Sequence, residues 1–215
     1  MHRSARIAAW SIAVGVTLTA CSGGSSSRSA SSSSTSPGSS TTVPSTVAGS
    51  GVGSNGPEVN PAGDIPDNQV FVAFTPPSGG FSVKVPEGWA RTQVGGAVTF
   101  TDKLNSIRME AVPASSAPTV QSAEQSELPP VRASAKNFQA GTVSQVTRKA
   151  GRAVLLAYKA DSEPDPVTGK VIHDAFERYE FWKSGTEVIL TLSGPDGADN
   201  VDPWRIVTDS FAWQQ

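Results

Sequence analysis

A single cysteine, Cys21, in 215 residues excludes any disulfide within the chain. The folded part must therefore hold together by apolar packing, which a domain of about 150 residues can supply. Histidine is nearly as scarce, at two. A zinc site built from several His and Cys ligands is excluded with it. An excess of one charge sign is missing too: 17 Lys and Arg against 19 Asp and Glu leave a formal charge of −2. Nucleic acid is thereby excluded as a partner, since its binding needs a basic face to neutralise phosphates. No apolar run reaches the roughly 20 residues of a membrane-spanning helix. Nor does a cluster of Lys and Arg stand ready for anionic headgroups.

What is present begins with an export signal. His2, Arg3 and Arg6 precede an apolar run, Ile7–Leu18, which ends in Leu18-Thr19-Ala20-Cys21. A positive start, a short apolar stretch and small residues before a cut site describe a secretory signal peptide. Leu18–Cys21 resembles the lipobox of bacterial lipoprotein precursors. That resemblance implies removal of residues 1–20, a diacylglycerol on the Cys21 thiol and residence at the extracytoplasmic face of the cell membrane. Two acyl chains give stable anchoring where one binds marginally. The alternative is a soluble secreted protein in which Cys21 merely adjoins the cut.

Residues 21–63 read as a tether. Ser22–Gly56 is Ser, Thr and Gly-rich, with Arg28 as its only charge and Val43, Val47 and Val52 as its only sizeable apolar side chains. Such a stretch buries too little to offset the entropy of ordering its backbone. A coil of that composition reaches roughly 30–35 Å. Thr35–Thr46 also has the composition of an O-glycosylated stalk.

Residues 64–215 read as one domain dominated by period two. Phe81, Val83 and Val85 form one row, Val98 and Phe100 a second, and Ile107, Met109 and Ala111 a third. Each row predicts a strand with one buried face. Further strands are predicted at Thr142–Lys149, Arg152–Ala160, Lys170–Lys183 and Thr186–Ser193, with hairpin turns at Ala150-Gly151 and Ser184-Gly185. Helical spacing appears twice. Leu128, Val131, Ala135 and Phe138 form a stripe behind Pro129-Pro130, with a short helix expected before it around Thr119–Glu127. Asp202-Pro203 reads as N-cap and first turn of a terminal helix carrying Trp204, Val207 and Phe211.

GFSVKVPEGW (Gly80–Trp89) and VILTLSGPDGADNVDPWRIVTDSFAW (Val188–Trp213) resemble the opening and closing elements of Mog1/PsbP-like domains, as carried by actinobacterial lipoproteins behind a Ser/Thr-rich tether. The resemblance implies an α+β fold: an antiparallel sheet flanked by helices, an α/β/α sandwich. The matching residues are packing and turn residues, so no catalytic residue carries over.

His173 is the domain's only histidine, and no nucleophile motif accompanies it. Its neighbour Asp174 is opposite in phase, which separates the two side chains. Asp161, Glu163 and Asp165 alternate like a calcium loop, but Pro166 and Ile172 stand where such a loop needs Gly and Glu, so the stretch reads as a solvated acidic turn. Glu177 and Glu180 lie on opposite strand faces, against a paired-carboxylate mechanism. Trp89, Phe176, Phe181, Trp204 and Trp213 read as core. Tyr179 and Trp182 are the candidate partner surface. The reading is a lipid-anchored envelope module without catalysis, cofactor or metal, acting through contact with another envelope protein. A carrier of a small apolar or lipid ligand is the alternative, and a hydrolase using His173 the third choice.

Overall fold

The computed structural model describes residues 62–165 and 167–214. Cys21, the signal sequence and all of the tether except Ala62 and Gly63 lie outside the described residues. Ten strands and three α-helices follow in the order β1 (Phe71–Phe74), β2 (Phe81–Pro86), β3 (Ala90–Val94), β4 (Ala97–Asp102), β5 (Asn105–Pro113), α1 (Val120–Ser122), α2 (Leu128–Ser134), β6 (Gln139–Arg148), β7 (Gly151–Asp161), β8 (His173–Lys183), β9 (Thr186–Pro195), α3 (Val201–Ser210) and β10 (Ala212–Trp213). A π-helical turn, Ala123–Glu127, joins α1 to α2. The domain is α+β, and its strand pairs are antiparallel throughout.

Seven strands form the main sheet in the order β3-β4-β5-β9-β8-β7-β6, and β1-β2-β10 form a second, three-stranded ribbon. Alternation decides what each face of the main sheet touches. Register sets Ile107 opposite Leu192, Tyr179 opposite Leu190 and Phe181 opposite Val188, so these share one face. That face packs on Phe81, Val83 and Val85 of β2, on Trp204 and Val207 of α3, and on Phe211. Phe211 stacks on Phe81 at 5.5 Å and on Phe181 at 4.2 Å, which links ribbon, helix end and sheet. The other face carries Val154 and Leu156, which pack with Ala123, Leu128 and Val143 in a smaller core. Helices thus lie on both faces, and the β1-β2-β10 ribbon shares one layer with α3.

The hairpin between β8 and β9 turns on Ser184 and Gly185, both at positive φ (50° and 87°). That is the backbone a two-residue turn needs to follow the twist of its strands.

Several boundaries differ from the sequence reading. The terminal helix starts at Val201, with Asn200 rather than Asp202 in the cap position. Asn200 makes no capping bond because its side chain is spent in a buried network. Its Nδ2 donates to Gly63 O (3.0 Å) and Asn105 Oδ1 (3.0 Å), and its Oδ1 accepts from Ile65 N (2.8 Å). Gly63, placed in the tether from sequence, is therefore buried and fastened. The helix after Pro130 stops at Ser134, and Phe138 leaves it behind Asn137 at φ 50° to stack on Tyr158 at 5.6 Å. Residues Lys170–Ile172 precede β8 in a turn around Asp165, whose Oδ1 accepts from Val167 N, Thr168 N and Thr168 Oγ1 at 2.7–3.0 Å.

Candidate functional site

The helix layer leaves part of the sheet uncovered. Because α2 ends at Ser134, strands β5, β9, β8 and β7 lie open beyond it, and a cavity of about 660 Å³ fills the space. Its floor follows the register across four strands: Ser106 opposite Ser193, Ser193 opposite Phe176, Phe176 opposite Tyr158, and Asp174 opposite Ala160 one step along. Two serines and an alanine leave volume that larger side chains would fill. Val131 and Ser134 of α2, Ala135 at its end, and Lys103 and Leu104 from the turn between β4 and β5 also line it.

Aromatic surface and one carboxylate give this floor its character. Tyr158 and Phe176 stack at 4.7 Å with rings nearly parallel, at 4°. Ser106 and Ser193 share a hydrogen bond of 2.7 Å between their hydroxyls. Asp174 is 5% exposed, and its Oδ1 has no hydrogen-bond partner. Burial pushes its pKa up to about 6, with His173 opposing the shift and Asp161 reinforcing it. Burial also raises the Tyr158 phenol. At neutral pH the Asp174 carboxyl remains mostly ionised, an unpartnered charge in the cavity wall. Unpartnered buried charge is costly unless something arrives to pair with it.

A second buried carboxylate, Glu180, lies further along the same face of β8. It is 0% exposed, with its pKa pushed up to about 7 by burial, against the pull of Arg178. Arg178 donates to Glu180 Oε1 at 3.0 Å and to Glu127 Oε2 at 2.8 Å, pinning the π-helical turn to the sheet. Glu180 already has its cation, so of these two buried carboxylates only Asp174, which lines the cavity, lacks one.

The residues singled out from sequence lie elsewhere. Tyr179, expected on a partner surface, is 1% exposed and offers none. Strand phase turns it into the main core, where its hydroxyl accepts from Arg148 Nη2 (2.6 Å) and donates to Glu177 Oε2 (2.7 Å). Trp182 points to the opposite face, half-buried, donating from its indole to Ala114 O at 2.9 Å. The structure does not bring the two together. His173 is held by Asp161 Oδ1 at its Nδ1 (2.9 Å) and by Gln139 at its Nε2 (3.2 Å). This hydrogen bond, with a second from Asn137, lowers the Asp161 pKa. Neither partner of the ring is a nucleophile. Among the described residues no three His, Cys, Asp or Glu side chains are grouped to hold a metal ion.

No protein-family model matches the chain, and no curated protein matches it. Solved structures do. The fold is similar to that of cyanobacterial PsbP from Synechocystis sp. PCC 6803, at 14% identity over 72% of this chain and 100% of that one, with a TM-score of 0.48. Mog1p, a Ran-binding protein of Saccharomyces cerevisiae, matches at 10% identity over 60% of this chain and 78% of its own, with a TM-score of 0.43. LpqN, involved in cell envelope biogenesis of Mycobacterium tuberculosis, matches at 14% identity over 69% and 93%, with a TM-score of 0.38. A Bacteroides thetaiotaomicron protein, 16% identical with a TM-score of 0.45, is spanned over about half its length, 48%. At such identities likeness of fold says nothing of chemistry, which rests on the site's own residues.

The cavity residues Asp174, Phe176, Tyr158, Ser106 and Ser193 were not read from sequence as a site. One signal was available: Asp174 is in phase with Phe176, Arg178 and Glu180, a row of polar and aromatic residues in a strand with both faces covered.

Proposed function

We propose that this chain is a non-catalytic binding module, anchored through a lipid on Cys21 to the outer face of a cell membrane. The cavity over Asp174 and Phe176 is its binding element. The lipobox Leu18–Cys21 supports the anchor. The observation that carries the binding reading is an open cavity of about 660 Å³ that combines stacked aromatic rings with an unpartnered carboxylate. Volumes of roughly 300–1,000 Å³ with apolar lining and a few convergent polar groups are those of small-molecule sites. The reading is non-catalytic because the floor offers a carboxylate and two mutually bonded hydroxyls without a general base placed against either serine.

Contact with an envelope protein ranks second. Half-buried Trp182 supports it, although its indole nitrogen already bonds Ala114.

The test is native mass spectrometry of the full chain extracted in mild detergent from membranes of cells that make it. Wild type should carry a small non-covalent adduct, and Ser106→Trp, which fills the floor, should lose it. A wild-type chain with no adduct, or an adduct that survives Ser106→Trp, would overturn the cavity as the binding element.

A further inference from the structure

The cavity's chemistry narrows what it can hold. Asp174 is 95% buried, yet its Oδ1 meets no donor, and neither Lys103 nor Lys170 on the cavity wall forms a salt bridge with it. An anion would meet this carboxylate, with Asp161, Glu163 and Asp165 adding like charge along the lining. A purely apolar ligand would leave the carboxylate unpaired and strip what water reaches it, so ligand binding would deepen the cost of its burial. A ligand that donates N–H from a positive group removes that cost with a charge-assisted hydrogen bond.

The rest of the floor suits the same ligand. An ammonium has three donors and no acceptor, and the Ser193 hydroxyl, on the strand next to Asp174 and one step along it, offers a lone pair. Tyr158 already stacks on both Phe138 and Phe176, so Phe176 is the ring that offers π surface, which attracts a cation electrostatically and also buries an apolar body. One strand supplies both halves of the recognition, since Asp174 and Phe176 are two residues apart on β8 and point the same way.

We propose that the cavity is a site for a small organic cation, a primary amine on a flat apolar body, with its nitrogen on the Asp174 carboxylate and its body against Phe176. This rests on the cavity being the binding element and adds the chemistry of its occupant.

Calorimetric titration of the purified full chain at pH 7.5 tests it with phenethylammonium as probe and 2-phenylethanol as its neutral counterpart. Phenethylammonium should bind wild type, and Asp174→Asn should weaken it about tenfold or more, the loss of one charge-assisted hydrogen bond. 2-Phenylethanol should bind wild type at least about tenfold more weakly than the amine for the same reason. Ser106→Trp should abolish amine binding. Absence of amine binding to wild type would overturn the proposal. So would equal affinity for the two probes, an unchanged affinity in Asp174→Asn, or binding that survives Ser106→Trp. If the extracted chain carries an adduct that Ser106→Trp removes while phenethylammonium fails to bind, the amine chemistry falls and the binding role of the cavity stands.

Discussion

Replacing Asp174 by Asn should make the domain's stability less sensitive to pH, in a direction that the buried carboxylate fixes. Its pKa rises from the ordinary 3.8 to about 6 in the folded chain. The folded state therefore keeps this proton to a higher pH than the unfolded chain does. Between pH 4 and pH 6 the native form binds more protons at this position, so the group's contribution to stability falls as pH rises. A shift of roughly two units corresponds to about 3 kcal/mol, at about 1.4 kcal/mol per unit. Well below pH 3 the carboxyl is neutral in both states and the effect is gone. Asn cannot ionise and is nearly isosteric. The stability difference, Asn variant minus wild type, should accordingly grow by about 3 kcal/mol between pH 2 and pH 8, in favour of the variant. Taking the difference cancels the titrating groups that Asp174 does not touch: Asp165 and Glu110, whose pKa values are lowered, and Glu180, whose value is raised, titrate in both proteins. Urea unfolding followed by tryptophan fluorescence at unit pH intervals gives the curve. A flat difference would mean that water or a partner already solvates Asp174. A variant that loses stability at pH 8 would mean the carboxylate is paired.

Three further outcomes are expected. Cys21→Ala should abolish lipid labelling and move the chain from membrane to soluble fraction; a variant that stays membrane-bound after a salt wash would refute the lipobox reading. Trp204→Ala, which removes a buried indole between α3 and the sheet, should cost about 3–5 kcal/mol in urea unfolding. Gly194→Ala would set a methyl group 2.3 Å from Asn105 Oδ1 and 2.9 Å from Asn200 Nδ2, so it should cost about 1–3 kcal/mol and speed hydrogen exchange at the Ile65 amide. Unchanged exchange there would show that the asparagine network does not hold the Gly63–Ile65 segment.

Much of the sheet was legible because burial on one face writes period two into the sequence. The rows Phe81-Val83-Val85, Ile107-Met109 and Val188-Leu190-Leu192 all became core strands. Strands without that burial left no such mark. β3 is exposed along its whole length, and β1 and β10 have four and two residues. Helix ends were misplaced where a side chain had a stronger use elsewhere, as with Asn200, or where the chain turned out early, as at Ser134.

The site was largely illegible for the same kind of reason. A cavity depends on where a covering helix stops and on whether the residues beneath it are small, and neither has a periodicity. In the sequence Asp174 stands beside His173, which faces the other way. Its actual companions, Phe176 two residues on and Ser193 from the next strand, become visible once strand phase and register are known. Aromatics on both faces of Phe176–Trp182 say that each face is covered but not by what, and the phase that Tyr179 shares with Phe181 places it in the core.

The measurement that bears most directly on the central claim is the titration of the Asp174 side-chain carbon by NMR in the free full chain. An unpartnered, buried carboxylate facing the cavity predicts a midpoint near 6, the value its burial gives it. A midpoint at the ordinary aspartate value of about 4 would contradict the account, because the carboxylate would then already be solvated or paired and would gain little from a ligand's positive group.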